Sequence, residues 1–100
     1  MDQRLLHYLW DQDKNSSNLR KHGIRFADAL TVFDDPSIRS SFDPDHSDEE
    51  DRWIALGRDS NGAVLVISFT VRNTEDEELV RLISARPATK PEELQYYSGR

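Results

Sequence analysis

Apolar and polar positions recur along this chain with two periods, that of a helix and that of a strand. From Ile24 to Phe33, apolar side chains recur at i, i+3, i+4 and i+7, which is the spacing of one buried helix face. The pattern predicts a helix over 24–33, and Asp35-Pro36 ends it because proline disfavours helix in the residue before it. Arg25 stands where a capping Ser or Asp is expected, so this helix is predicted to start poorly.

An earlier helix is predicted from Lys14 to His22. Asp11 and Asp13 are candidate N-caps, since their side chains can accept hydrogen bonds from the first free backbone N–H groups. Gly23 is a candidate stop, because glycine tolerates the left-handed conformation that ends many helices.

Period-two alternation and short apolar runs predict the strands. A short strand opens the chain at 4–10, and further strands are expected at 38–43, 52–58, 63–71 and 79–85. Asn61-Gly62 lies between two apolar runs and predicts a hairpin, because both residues tolerate positive φ. Residues 64–71 are apolar on both faces apart from Ser68 and Thr70, which predicts a central strand.

A C-terminal helix is predicted to open at Thr89. Its side chain can cap, Glu92 can return the bond, and Pro91 is tolerated in a first turn. Helices that precede a mostly antiparallel sheet indicate the α+β class. We expect one domain over residues 1–100, with a short first strand and two N-terminal helices on one face of a four-stranded, mainly antiparallel twisted sheet, followed by the C-terminal helix.

Charge is distributed unevenly. The formal net charge is −6, which by itself argues against a nucleic-acid-binding protein. Residues 43–51 hold six acids and residues 75–78 hold four, with no base in either segment. The remaining positions hold 13 basic and 9 acidic residues, so the body of the domain is mildly basic. We expect both segments to be solvated connections, and the first to bind a basic partner.

The first acidic segment also raises the question of a metal. Asp43, Asp45, His46 and Asp48 are potential ligands, but the glycine that a calcium loop needs for its sharp turn is absent. No metal site is therefore expected. Residues 47–50 fit a capping box and predict a single helical turn.

Residue usage limits the class of protein further. The chain has no cysteine, which excludes a disulfide scaffold and a Cys-based zinc site. No N-terminal run has the apolar core of a signal peptide, and no apolar run approaches membrane-spanning length. We expect a cytoplasmic protein that does not bind a membrane.

Candidate chemistry is concentrated at the end of the first predicted helix, where Arg20, Lys21 and His22 are consecutive. Lys14 and Asn18 share one side of that helix with Lys21. Two interpretations stay open. These cations and the titratable imidazole belong to a site for a polyanion, or they only complement the helix dipole beside a glycine stop.

The chain resembles the BrnT toxins of bacterial type II toxin–antitoxin modules. The resemblance extends from about Tyr8 to Tyr97, and the order Asn-x-x-Lys-His-Gly, Asp-Pro and Ile-Ser-Ala-Arg carries it. The matching positions are Trp10, Asp11, Lys14, Asn18, Lys21, His22, Gly23, Phe26, Ala29, Phe33, Asp35, Pro36, Asp43, His46, Arg52, Gly57, Thr70, Arg72, Arg81, Ile83, Ser84, Ala85, Arg86, Ala88, Glu92 and Tyr97.

The resemblance implies a RelE-like fold and a ribonuclease that cleaves RNA and stalls translation. It also implies a cognate antitoxin, through which alone the toxin would contact DNA. A homodimer and a toxin–antitoxin heterotetramer both remain open. The alternative function is a weakly catalytic or non-catalytic module that binds the antitoxin and acts as a transcriptional co-repressor. An acidic regulator that competes with nucleic acid for a basic partner is a third hypothesis.

For a ribonuclease, Lys21 and Arg86 would hold the phosphate and His22 would act as base or acid. Tyr97 would transfer a proton or stack on a base. Lys21, His22 and Arg86 are expected to converge on one phosphate, without metal or cofactor. The further substrate-binding candidates are Lys14, Asn18, Arg72 and Arg81.

Structural alternatives accompany four of these residues. Arg86 can instead pair with Glu92 or Glu93. Arg72 and Arg81 can offset the acidic segment 75–78. Tyr97 can be a core aromatic residue with its hydroxyl at the rim.

Overall fold

The structure is a computed structural model that describes residues 5–46 and 50–99. The turn predicted over 47–50 lies largely outside the described residues. The short helix Phe26–Ala29 continues directly into a 3₁₀ helix, Leu30–Asp34, so that the two form a single helical run. The elements in chain order are β1 (Leu5–Leu9), α1 (Gln12–His22), α2 (Phe26–Ala29), β2 (Arg39–Asp43), β3 (Arg52–Arg58), β4 (Val64–Asn73), β5 (Glu77–Pro87) and α3 (Lys90–Ser98).

The five strands form one sheet in the order β1-β5-β4-β3-β2. β4 is the central strand and pairs antiparallel with β3 and β5, which confirms the prediction from its doubly apolar sequence. The hairpin at Asn61-Gly62 is also confirmed, with Asp59 N–H donating to Ala63 O over 2.8 Å.

The prediction of a four-stranded sheet is wrong, although the α+β class is confirmed. β1 joins the sheet as a fifth strand, parallel to β5. This pairing places Tyr8 opposite Val80, so that a half-buried aromatic ring extends the core. Strand periodicity cannot reveal such a partner, because it does not specify which distant strand completes an edge.

The helical prediction over 24–33 is correct in place but wrong in kind. α2 makes one α-helical turn, and the chain tightens into the 3₁₀ helix. β-Branched Thr31 and Val32 lie in this segment, and such residues lose side-chain freedom in a helix. Arg25 makes no side-chain cap. The N–H of Phe26 instead donates to Asn15 Oδ1 over 2.9 Å, so α1 caps the helix that follows it.

The core lies on one face of the sheet. Alternate β4 residues Leu65, Ile67 and Phe69 pack with Phe26 and Val32. Phe26 belongs to α2 and Val32 to the 3₁₀ helix, and we call these two segments the helical layer. The helical layer approaches closely at Gly57, where a Cβ atom would lie 2.7 Å from Cγ1 of Val32. Only glycine fits there without a shift of the helical layer.

Both longer helices have the predicted ends. The Asp11 side chain accepts hydrogen bonds from the backbone of Asp13 and Lys14, and Gly23 has φ of 70°. Thr89 and Glu92 form a complete capping box at the start of α3. No helix in the described ranges is long and apolar enough to cross a membrane.

Candidate functional site

The sheet face opposite the core carries a row of polar side chains. In the β3–β4–β5 register, Arg52 lies opposite Thr70, and Thr70 lies opposite Arg81. Ser68 and Ser84 are opposite each other beside this row. Directly opposed residues project from the same face of a sheet. We call these five residues the polar face.

A cleft of about 320 Å³ opens on this side of the sheet. Its polar lining includes Arg52, Ser68 and Ser84 of the polar face, together with His46 and Arg86. Cationic groups and hydroxyls of this kind can bind the oxygens of a phosphate. Charge, hydrogen-bond donors and an imidazole therefore meet in one concave surface.

His46 is held at this cleft by Asp43. Its Nδ1 lies 2.9 Å from Asp43 Oδ2. A carboxylate at Nδ1 fixes the ring orientation and leaves Nε2 for proton exchange, as in other acid–base sites. The His46 side chain is 66% exposed, whereas that of Asp43 is 12% exposed, so the acid is the anchored partner.

Arg86 reaches the same cleft but is already paired. Its Nη1 and Nη2 donate to Glu92 Oε1 and Oε2 over 2.8 and 2.9 Å. The hydrogen bonds from Arg86 lower the pKa of Glu92 to about 2, against the opposing effect of burial. The same hydrogen bond raises the pKa of Arg86. The pair of Arg86 with Glu92, named as the structural alternative, is therefore confirmed, and a phosphate at Arg86 would share the guanidinium with this carboxylate.

The two other arginines named from the sequence lie on the same face of the sheet. Arg81 forms an ion pair with Glu50, and not with the acidic segment 75–78. Arg72 lies opposite Leu79, one step beyond Thr70, and is exposed. Both arginines can contribute to a cationic surface that continues the polar face.

Asn18 has a structural role in the fold, and its predicted contact with substrate stays a prediction. Its side chain is buried, with 4% exposure. Nδ2 donates to the carbonyls of Ile24 and Ala85 over 3.0 and 2.8 Å, and Oδ1 accepts the Ala85 N–H over 3.0 Å. The amide is thus used by the backbone, and it joins α1 to β5 next to Arg86.

Lys14, Lys21 and His22 are exposed on α1. Within 5–46 and 50–99, no hydrogen bond or ion pair connects Lys21 or His22 with Arg86. Ala85 belongs to the core, so the neighbouring Arg86 side chain projects from the other face of the strand. The convergence of Lys21, His22 and Arg86 on one phosphate stays a prediction, and nothing in the described contacts brings it about.

Tyr97 is 62% exposed and its ring packs edge-on against Tyr96. The buried aromatic residue of α3 is instead Tyr96, whose hydroxyl donates to Asp35 Oδ2 over 2.6 Å. The core aromatic residue of α3 is therefore Tyr96, and not Tyr97 as the structural alternative predicted. Tyr97 remains accessible for contact with a ligand.

The sequence-based prediction did not place His46, Arg52, Ser68 or Ser84 in the candidate site. The signal was present in β4, where Ser68, Thr70 and Arg72 alternate with apolar residues. Such alternation marks one polar face on a strand. In the part of the chain that the structure describes, no group of three or more potential metal ligands occurs.

These features define a class: a small α+β protein whose sheet buries one face and presents arginine and hydroxyl side chains on the other. The family model described as "Ribonuclease toxin, BrnT, of type II toxin-antitoxin system" matches residues 10–92. The chain therefore belongs to the BrnT family of ribonuclease toxins. A cognate antitoxin partner follows from membership of a type II toxin–antitoxin family.

The fold is similar to a solved structure, the crystal structure of the Brucella abortus ribonuclease toxin BrnT. The TM-score is 0.58 with 24% sequence identity, over 86% of this chain and 99% of that one. A search of curated proteins finds no match. The structural similarity supports the fold, and the family match supports the class of activity.

Proposed function

We propose that this chain is a RelE-like endoribonuclease toxin of the bacterial cytoplasm, which cleaves RNA, inhibits translation and is neutralised by a DNA-binding antitoxin. The observation that carries the proposal is the polar face, where Arg52 and Arg81 flank Thr70 beside the His46 cleft. Guanidinium groups match phosphate oxygens in charge and geometry. A single-stranded RNA backbone can lie across such a surface.

The reaction that fits these groups is attack of a ribose 2′-OH on the adjacent phosphorus. A base removes the 2′-OH proton, and the bond from phosphorus to the 5′-oxygen breaks as an acid protonates that oxygen. The products are a 2′,3′-cyclic phosphate and a free 5′-OH. Arginines stabilise the extra charge on the phosphorane, and acid–base groups each contribute about 10²–10⁴-fold.

Two histidines compete for the proton-transfer role. His22 was favoured by the sequence, whereas His46 has both a carboxylate partner and a place in the cleft. We propose His46 for this role and keep His22 as its comparison. Lys21, Arg72 and Tyr97 are proposed to contact the RNA outside the reacting bond.

The test compares single variants on a defined single-stranded RNA. Arg52→Ala should lower the cleavage rate about 100-fold, since it removes a preorganised charge. His46→Gln should lower the rate and remove its pH optimum, while His22→Gln serves as the matched histidine control. Unfolding midpoints on the same preparations separate lost chemistry from lost structure.

The proposal fails in a recognisable way. If Arg52→Ala retains wild-type cleavage per folded molecule, the polar face is not the site. If His22→Gln loses the pH optimum and His46→Gln keeps it, the last turn of α1 is the catalytic position. Induced expression with and without the antitoxin gene, with RNA integrity and protein synthesis followed over time, tests toxicity and neutralisation.

Two observations favour a second candidate, an antitoxin-binding co-repressor with little catalysis. The arginines Arg86 and Arg81 are already paired with Glu92 and Glu50, and the chain is acidic overall. Both features weaken attraction to RNA, which depends on cations that displace counterions. In that case the wild-type protein would bind the antitoxin and enhance repression without cleaving RNA.

A further inference from the structure

The core face of the sheet is covered only in part by the helical layer. Beyond Phe33, it opens into a groove of about 560 Å³. Apolar side chains that range from buried to exposed form its floor and walls, and the groove is reached by residues from all five strands. Its principal apolar lining is Leu6, Tyr8, Phe33, Trp53, Val71 and Val80.

Aromatic contacts fix the shape of this groove. Phe33 packs against Tyr8 at a centroid distance of 5.3 Å and against Phe69 at 5.2 Å. Trp53 packs edge-on against Phe42 at 5.5 Å, and Phe42 is itself 43% exposed. The groove is therefore a preformed apolar surface, as ligand and peptide sites usually are.

The charges at the groove are acidic. Asp51 and Glu78 belong to its lining, and none of the described lining residues is Lys or Arg. Burial raises the pKa of Tyr8, and the charges of Asp34 and Glu78 raise it further, so Asp34 also acts on this surface. An occupant must be apolar where it meets the floor and basic at its margins.

The dimensions fit a helix. Five strands make four inter-strand spacings of about 4.8 Å, or about 19 Å across the sheet. At a rise of about 1.5 Å per residue, about 13 helical residues span that distance. A helix with one apolar face can dock in such a groove through residues at i, i+3, i+4 and i+7.

We propose that this groove docks an amphipathic helix of the cognate antitoxin, with an apolar face on the sheet and Lys or Arg side chains toward Asp51 and Glu78. The inference rests on the antitoxin partner of the proposed function. RNA is a poorer occupant, because its phosphates would face these acids. A second copy of this chain would bring identical acids together across a symmetric interface, which is unfavourable as well.

Two leucines of β1 provide a matched pair of variants. Leu6 lines the groove, whereas Leu9 projects from the other face of the same strand, and they are 52% and 47% exposed. Leu6→Glu should weaken binding of the purified full-length antitoxin at least about 10-fold, chiefly through faster dissociation. Leu9→Glu should change it less than about 2-fold. If the two variants weaken antitoxin binding equally, the proposal that the antitoxin docks in the groove is wrong.

The acidic margin is tested by reversing one charge. Glu78→Lys should slow association with the antitoxin, most at low salt, because it replaces an attractive charge with a repulsive one. Asp28→Lys, at an exposed position on α2 outside the groove lining, makes the same change in net charge. If both variants slow association with the antitoxin equally, the acids at the groove margin do not attract it specifically.

A third experiment needs no substituted variant, so its result does not depend on whether the variants fold. The chain has two tryptophans: Trp53 lines the groove, and Trp10 packs on Phe26. In fluorotryptophan-labelled protein, unlabelled antitoxin should shift the fluorine resonance of Trp53 and leave that of Trp10. A Trp53 resonance that is unmoved by antitoxin, or moved instead by RNA or by self-association, overturns the proposal.

The outcomes also separate this inference from the proposed function. If wild-type protein and Leu6→Glu bind the antitoxin equally well, the proposal of docking in the groove is wrong, and the antitoxin is still a partner of this protein. If wild-type protein does not bind the antitoxin at all, the partner and the groove fail together. RNA cleavage by the free toxin is unaffected by either result.

Discussion

At the scale of single residues, Glu92 combines two structural tasks. Its Oε1 accepts the backbone N–H of Thr89 over 2.8 Å, which completes the capping box of α3. The same carboxylate receives the bidentate Arg86 pair. One ionised group therefore holds the start of the last helix against the end of the last strand, next to the candidate site.

The low pKa of Glu92 predicts a specific pH dependence of stability. The carboxyl has a folded pKa of about 2, against an ordinary value of 4.5. Its stabilising effect is complete above the unfolded pKa and is lost as pH falls through the folded pKa. Glu92→Gln should lower the free energy of unfolding by about 1–2 kcal/mol at pH 7. The difference in free energy of unfolding between wild type and Glu92→Gln should shrink steadily as the pH falls below 4.5.

Denaturant unfolding at several pH values measures this difference. Glu93→Gln is the control, because it removes the neighbouring charge on the same helix and leaves the Arg86 pair intact. A gap between wild type and Glu92→Gln that is constant from neutral to strongly acidic pH would show that the ionised carboxylate is not what stabilises the site.

At the scale of elements, the junction of α1 with β5 explains why Asn18 is buried. β1 pairs with β5 up to Arg81, so the edge of β5 at Ala85 lacks a strand partner on that side. The amide of Asn18 supplies both a donor and an acceptor to Ala85. The side chain thus takes the place of a peptide group of a neighbouring strand and satisfies buried backbone groups.

Asn18→Ala should therefore reduce stability and not substrate affinity. It leaves the Ala85 N–H and C=O without these partners, at a cost of about 1–3 kcal/mol. Faster hydrogen exchange of the Ala85 amide should accompany the loss. Asn15→Ala, which removes the cap on Phe26, is the control that weakens α2 without touching Ala85. Normal stability combined with weaker RNA binding would restore Asn18 as a substrate contact.

The elements also show what the sequence can and cannot reveal. Local periodicity and capping residues were enough for α1, α3, the hairpin and the central strand. The parallel pairing of β1 was not predictable, since it joins residues about seventy positions apart and period-two patterns carry no partner identity. The tightening of α2 into a 3₁₀ helix was likewise not visible in an apolar stripe that both helices share.

The candidate site could not be predicted from the sequence for a related reason. Lys21 and His22 are consecutive in the sequence, whereas Arg52, Thr70 and Arg81 become neighbours only through the strand register. The sequence predicts that Arg86 holds the phosphate at the end of the last strand, and that role stays a prediction. The Arg86 partner Glu92 was named as an alternative, and the structure shows that pair.

At the scale of the whole molecule, opposite charges stand beside the cations of the candidate site. The net charge is −6, and Arg81 and Arg86 are paired with Glu50 and Glu92. Under the proposed function, RNA would compete with the protein's own carboxylates for these arginines. The acidic composition would then limit affinity for RNA without removing the cationic surface itself.

The Arg81–Glu50 pair tests this competition, because both side chains are about half exposed and such pairs contribute little to stability. Glu50→Gln should leave the unfolding midpoint nearly unchanged and strengthen binding of a single-stranded RNA at low salt. The freed Arg81 should add about one phosphate contact, so the slope of log K against log salt should steepen by about 0.7. Glu93→Gln makes the same charge change elsewhere and should alter affinity without this change in slope. Identical slopes for the two variants would mean that Arg81 does not contact the phosphate backbone.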